Sequence, residues 1–171
     1  MIKLSSEKFS EYDFHNPATQ IRNFIWEAFA SNYLEMVKNR AYNERGKYTE
    51  KEKNAALFTL RHVLYESLKL LAPVIPFVTY SIYSEMAKGD VHAEAFPKPQ
   101  KKFDAAPEFT TQEIIELNST VWKAKKDAGQ SLKAEVKELV LPEKFKAVER
   151  DLVEMHGVKK VVRGREIKVV L

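Results

Sequence analysis

Lys38, Arg40, Arg45, Lys47, Lys51 and Lys53 crowd one short stretch of the chain, and Lys123, Lys125, Lys126 and Lys133 crowd another. Clustered ammonium and guanidinium groups do one kind of chemistry well: they displace the counterions around phosphates, the sequence-independent part of nucleic-acid binding. The candidate contacts are Lys38, Arg40, Arg45, Lys47, Lys123, Lys125 and Lys126. Glu44, Glu50 and Glu52 dilute the first cluster, and cations near a helix C-terminus are favoured by its dipole alone, so a solvated face is the competing reading. As surface residues, Arg40, Arg45 and Lys47 should be removable with stability changes within about 0.5 kcal/mol. Trp26, Phe29 and Tyr33 have the rings to stack on unpaired bases, but their helical spacing in an apolar stripe reads as core.

Other chemistry finds little support. The chain has no cysteine, which removes thiolate nucleophiles, disulfides and cysteine-ligated zinc, and fits a reducing cytosol. His15, His62, His92 and His156 lie far apart with no metal-ligand spacing, and a lone histidine such as His62 between apolar helix positions reads as structural. Five glycines, at 46, 89, 129, 157 and 164, cannot build a phosphate-cradling loop. No nucleophile, base and orienting group come together as an active site, so no catalytic residue, metal or cofactor is expected in this chain. The formal charge of +4 permits a polyanionic partner without demanding one, and the surplus lies mostly after residue 100. The opening "MIKLSSEKFS" shows no apolar secretory core, so a cytoplasmic protein is expected.

The elements that must position these residues read mainly as helices. Asn16 before Pro17 reads as an N-cap with proline at the first helical position. Ile21, Phe24, Ile25, Ala28, Phe29, Tyr33, Met36, Val37 and Ala41 then predict a single helix over 17–42, with Trp26, Ala30 and Leu34 widening its apolar face. Thr49 and Glu52 have capping-box spacing before a second helix carrying Ala56, Leu57, Leu60, Val63, Leu64, Leu68 and Leu71. Pro73 should end that helix near Leu71 and Pro76 should start the next, with a short corner between. A membrane span is excluded, since the uninterrupted apolar run Leu70–Val78 is about half of the ~20 residues required.

Pro97, Pro99 and Pro107 mark a linker over 97–110 between a helical bundle at 1–96 and a small α+β unit at 111–171. The second unit should hold a helix with Ile114, Ile115, Asn118, Val121 and Trp122 on one side and Gly129 as its stop. A strand at "AEVKELVLP" and a helix with Phe145, Val148, Leu152 and Met155 inward, capped by Gly157, should follow. "VKKVVRGREIKVVL" reads as a hairpin turning near Arg163–Gly164–Arg165, giving a three-stranded sheet.

Three stretches resemble class I aminoacyl-tRNA synthetases. Phe24, Trp26, Tyr33, Leu34, Glu35 and Lys38 match a Phe-x-Trp followed by aromatic-Leu-Glu-x-x-Lys. Leu71, Pro73, Pro76, Phe77 and Thr79 match a Leu-x-Pro-x-x-Pro-Phe-x-Thr corner, and Lys125, Gly129, Ser131 and Leu132 match a later Lys-x-x-x-Gly-x-Ser-Leu segment. The branch resembled is the valyl enzymes, archaeal in type, with the isoleucyl enzymes as the alternative. The resemblance covers nearly the whole chain but only the C-terminal region of such an enzyme: the anticodon-binding helical bundle and the small domain after it. It departs at Tyr80, Ser81 and Tyr83, where the family has acids and then Trp, and at Phe96–Pro97 in place of Trp-Pro. The resemblance implies that the family's first bundle helix precedes residue 1, that tRNA and the remainder of a synthetase are partners, and that Trp26, Pro73, Pro76 and Phe77 are structural. ATP would be used by a catalytic domain that is absent here.

The rival expectation is a synthetase-like protein-interaction or dimerisation module without RNA binding, in which a second copy covers the apolar surface that the family's first bundle helix would otherwise cover. Neither the His-x-Gly-His nor the Lys-Met-Ser-Lys-Ser motif of the family occurs in the chain. The chain should therefore show no amino-acid-dependent exchange of pyrophosphate with ATP, and exchange above background in a clean preparation would contradict the reading as a non-catalytic region.

Overall fold

The structure is a computed structural model that describes residues 1–100 and 107–171. It is mainly helical with one small sheet, as expected. The described chain forms two compact units, one from residues 1–26 and 57–100, the other from 27–56 and 107–171. These units do not coincide with the division into 1–96, 97–110 and 111–171, because residues 27–56 pack with the C-terminal unit. Residues 97–100 and 107–110 carry no helix or strand, and the rest of that stretch lies outside the described residues. No helix among the described residues is long and apolar enough to cross a membrane.

The first unit opens with α1 (Ile2–Ser10), a helix that sequence periodicity did not reveal. Its fully buried position is Ser5, a polar residue where the pattern needs an apolar one, and Phe9 packs its ring 5.5 Å from Phe14 and 5.9 Å from Phe96. α2 (His15–Asn23) starts one residue before Asn16, so Asn16 is not its cap. The Asp13 carboxylate plays that part: it accepts from the Asn16 backbone N–H at 3.1 Å and from its side-chain amide at 2.6 Å. These two bonds hold the Asp13 carboxyl below its ordinary pKa. Pro17 still lies in the first turn, where its missing N–H leaves no helical bond unmade.

Helical winding continues without interruption from His15 to Tyr42, but Phe24–Leu34 is wound as a π-helix before α3 (Glu35–Tyr42) resumes. π winding usually appears as single-turn bulges, and here it covers 11 residues. Wider turns shift which positions face inward, so a stripe read at α spacing fails in this segment. Trp26 is accordingly 69% exposed rather than part of the core.

α4 (Glu50–Leu71) begins with the capping box expected of Thr49 and Glu52, whose reciprocal bonds measure 2.7 and 3.2 Å, and it ends at Leu71. The Leu71 carbonyl then accepts from the N–H groups of both Val74 and Ile75 at 2.9 Å, closing the corner before Pro76 opens α5 (Pro76–Met86). Fully buried Thr79 places its hydroxyl 3.0 Å from the carbonyls of Ile75 and Pro76. The core beside it holds Leu68, Ala72, Tyr83 and Val91, with the Tyr65 and Tyr83 rings 4.9 Å apart and their hydroxyls bonded.

In the second unit, α6 (Thr111–Asp127) starts at a Thr110–Glu113 capping box. It packs Ile114, Leu117 and Val121 into a core with Val136, Leu139 and Leu141 of β1 (Val136–Leu141). A 3₁₀ turn (Glu143–Val148) leads into α7 (Glu149–His156), which closes on Gly157 in the left-handed conformation. β2 (Val158–Arg163) and β3 (Lys168–Val170) complete a sheet of order β2-β1-β3, with β2 parallel and β3 antiparallel to β1. The expected hairpin is therefore wrong: β2 and β3 occupy opposite edges of β1. β1 is the most buried strand, with Val136, Leu139 and Leu141 fully buried, and pairing on both edges buries it better than a terminal hairpin would. The chain crosses the end of β1 at Gly164, whose N–H lies 3.4 Å from the Leu141 carbonyl and where an added Cβ would overlap Val140 Cγ1.

A buried polar chain ties this unit together. Asn32 donates to the Glu27 carbonyl at 2.7 Å, Asn118 donates to Asn32 Oδ1 at 2.8 Å, and His156 Nε2 donates to Asn118 Oδ1 at 2.9 Å. Lys125, fully buried, donates to the His156 carbonyl at 2.8 Å and to the Leu132 carbonyl at 3.0 Å. Burial, and then the charge of Lys125, push the His156 imidazole down to about 4. Its Nδ1 has no hydrogen-bond partner among the described residues, so a second ring proton would find no acceptor. The unfolded chain, at an ordinary 6.5, takes up that proton first. Stability should thus be complete above about pH 6.5 and fall, by up to about 3 kcal/mol, as pH drops toward about 4. Urea unfolding across this window should show that slope, and His156→Gln should flatten it.

Candidate nucleic-acid interface

The first basic cluster gathers where α3 ends. Asn43 closes the helix in the left-handed conformation at φ 51°. Its side chain then clamps the following loop, donating to the Tyr48 carbonyl at 2.7 Å and accepting from the Tyr48 N–H at 2.9 Å. Tyr48 is buried, with its hydroxyl 3.4 Å from Asp151 Oδ1 and the Arg150 guanidinium 4.2 Å from its ring centre. Burial, reinforced by the charge of Asp151, pushes the Tyr48 hydroxyl up to about 12. Arg150 also bonds Glu52 at 2.9 Å and the Lys47 carbonyl. The loop between Asn43 and Tyr48 is thus held at both ends and underneath.

The predicted contacts divide into two groups on this frame. Arg45 is 79% exposed at its side chain and stands 4.0 Å from Glu154, while Lys47, about half exposed, reaches the same carboxylate at 2.6 Å. Lys38, also half exposed, pairs with Glu35 at 3.3 Å one turn back. Together they border a cavity of about 260 Å³ with Asn39, Tyr42 and Glu154. Arg40 is less exposed, at 24% of its side chain. Its guanidinium lies 3.2 Å from Asp151, and burial raises the Asp151 carboxyl while Arg40 draws it back down.

In the second cluster, Lys123 and Lys126 are exposed on α6. Lys125 is not a surface cation: its ammonium is committed to the carbonyls of Leu132 and His156, and burial lowers its pKa. Phe29 and Tyr33 are half-buried and stacked with ring centres 6.1 Å apart. Sequence reading passed over Tyr42, which is 66% exposed beside the basic loop. Its helical spacing from core residue Ala41 gave one signal, a ring displaced to the outer face. Among the described residues, no group of three or more His, Asp or Glu side chains is placed to hold a metal.

Residues 1–140 match the family described as the anticodon-binding domain of tRNA ligase. The chain belongs to that family. It is 39% identical over 158 residues to a valine–tRNA ligase of Pyrobaculum aerophilum, a match covering 92% of this chain and 20% of that protein. A valine–tRNA ligase of Aeropyrum pernix is 31% identical over 159 residues, covering 91% and 19%, and one of Archaeoglobus fulgidus is 38% identical over 144 residues, covering 83% and 16%. The chain spans about a fifth of the length of these relatives. The resemblance to the valyl branch of the synthetases therefore holds along nearly the whole anticodon-binding domain described here.

The expectation that Arg40, Arg45 and Lys47 are equally dispensable to stability fails for Arg40, because its removal leaves Asp151 buried beside Tyr48 with less compensation. Arg40→Gln should destabilise the chain by about 1–3 kcal/mol, while Arg45→Gln should stay within about 0.5 kcal/mol. Chemical denaturation of the two variants side by side checks this difference.

Proposed function

We propose that this chain is the tRNA-binding module of a valine–tRNA ligase, gripping the anticodon stem-loop and contributing recognition to valine–tRNA ligation. The match of residues 1–140 to the anticodon-binding domain, with valine–tRNA ligases as relatives, carries the reading. The clamped loop supports it with exposed cations: Arg45, Lys47 and Lys38 on one border, while Lys123 and Lys126 on α6 offer a second set. Contacts of this kind position an RNA through its phosphates, and unpaired loop bases supply specificity. ATP-dependent valine activation belongs to a catalytic domain of the parent enzyme. The working compartment under this reading is the cytoplasm.

The remainder of the synthetase is the proposed protein partner. α5 exposes Phe77 at 89%, Val78 at 54% and Tyr80 at 48%, more apolar surface than a helix facing only water tends to carry. A protein neighbour accounts for these residues better than RNA does, since none of the three brings a charge.

Fluorescence anisotropy with labelled bulk tRNA across a salt series tests the RNA role. Binding should be weak and strongly salt-dependent. Replacing Arg45 and Lys47 together by glutamine should lower the salt slope by roughly 0.7 to 0.9 for each cation–phosphate pair removed. Absence of salt-sensitive binding by the folded wild-type chain would leave the protein-interaction reading in its place.

A further inference from the structure

The cavity at the end of α3 combines three features. Tyr42, 66% exposed immediately after the buried residue Ala41, is among its lining residues. The rim carries Lys38, Arg45 and Lys47, and the last two share the single carboxylate of Glu154, so that Arg45, at 4.0 Å, is only loosely engaged. Asn39 and the clamp residue Asn43 add amide groups to the same lining. A flat aromatic face, adjacent cations and amides match the parts of a nucleotide: a base to stack, a phosphate to pair, and a base edge to hydrogen-bond. The frame beneath is fixed before any ligand arrives, because Asn43 bonds both the N–H and the carbonyl of Tyr48, and Tyr48 is itself buried. Less ordering is then needed on binding.

We propose that this cavity receives one unpaired nucleotide of the bound tRNA, its base stacked on Tyr42 and its phosphate held by Arg45 and Lys47. The proposal rests on the tRNA-binding reading above. A paired nucleotide does not suit the site, since the faces of its base are covered by neighbours in the duplex stack. The cavity volume of about 260 Å³ is below the range of pockets that enclose a drug-sized ligand, and it suits a single base entering from an extended strand better than a small molecule bound on its own.

Titration of labelled tRNA with the full 171-residue chain distinguishes the roles of the groups. Tyr42→Ala should weaken binding at least about fivefold, the lower end for one stacked base, and should leave the salt slope unchanged because no charge is removed. Tyr42→Leu keeps apolar bulk without a π face and should weaken binding similarly, which covers the case in which the alanine variant folds poorly. Tyr42→Phe should retain wild-type affinity. Arg45→Gln should lower the salt slope, a change that a stacking ring does not produce. If wild-type chain binds tRNA and both Tyr42→Ala and Tyr42→Leu bind as tightly, the cavity is not the nucleotide site and the RNA reading stands without it. If the wild-type chain shows no salt-sensitive tRNA binding, the RNA reading fails and the cavity proposal fails with it.

Discussion

The buried chain from Asn32 through Asn118 to His156, with Lys125 on the His156 carbonyl, is the constraint on which the second unit depends. Polar groups removed from water are costly unless they find partners, and in this network the side-chain amides, the ammonium and His156 Nε2 find theirs while His156 Nδ1 goes without one. Every link joins a different part of the unit: the π-wound segment, α6, the end of α7 and the segment at Leu132. Shifting α7 by one turn would cost Asn118 its bond to His156 and Lys125 one of its two carbonyls, so the network favours one rotation and one position of α7 along its axis. The outer face of α7 then decides where the basic loop goes. Asp151 holds Arg40, Glu154 holds Lys47 and faces Arg45, and Arg150 covers Tyr48. The geometry of the cationic surface is thus set by hydrogen bonds in the interior.

Much of the helical plan was legible because it rests on local rules. The corner between α4 and α5 follows from what proline cannot do, and the Thr49–Glu52 capping box from side-chain chemistry three residues apart. What escaped rests on non-local facts. α1 was hidden because its buried position is a serine. The order β2-β1-β3 was missed because hairpin logic considers only neighbours in sequence, whereas the most apolar strand here takes the centre and draws its partners to both edges. Trp26 was misplaced because spacing rules assume α winding through a segment that is π-wound.

The motif residues sort by a similar logic. In the proline corner, Thr79 is buried and joined to the backbone, so it specifies the turn, whereas Phe77 is 89% exposed and stabilises nothing within the described unit. In the later motif, Lys125 looks like a surface cation because its sequence neighbours Lys123 and Lys126 are surface cations. Its depth follows from helix geometry: it lies four residues after Val121 and seven after Asn118, on the inward stripe of α6. A lysine on an apolar stripe is therefore a candidate for an internal bond, and the phase of the helix carries that information where the residue type does not.

The electrostatics of the α3 loop explain how one set of cations can serve both folding and binding. Arg40 faces a carboxylate that is itself mostly buried, and burial opposes the charge of Asp151 strongly enough that the guanidinium cannot be withdrawn without penalty. Its charge is neutralised inside the fold and contributes little to the surface field. Glu154, by contrast, is a single carboxylate facing two cations, so it can neutralise only one of Lys47 and Arg45 at a time. The surplus is carried on a backbone that Asn43 has already closed, so an incoming anion meets charge without having to order the loop that bears it. Arg45 is 79% exposed and stands 4.0 Å from Glu154, so turning it to a phosphate costs the fold little while Lys47 stays on that carboxylate at 2.6 Å. Division of labour between Arg40 and Arg45 therefore follows from their own placement: both face a mostly buried carboxylate, but Arg40 is itself 24% exposed and 3.2 Å from its partner, whereas Arg45 is 79% exposed and 4.0 Å away.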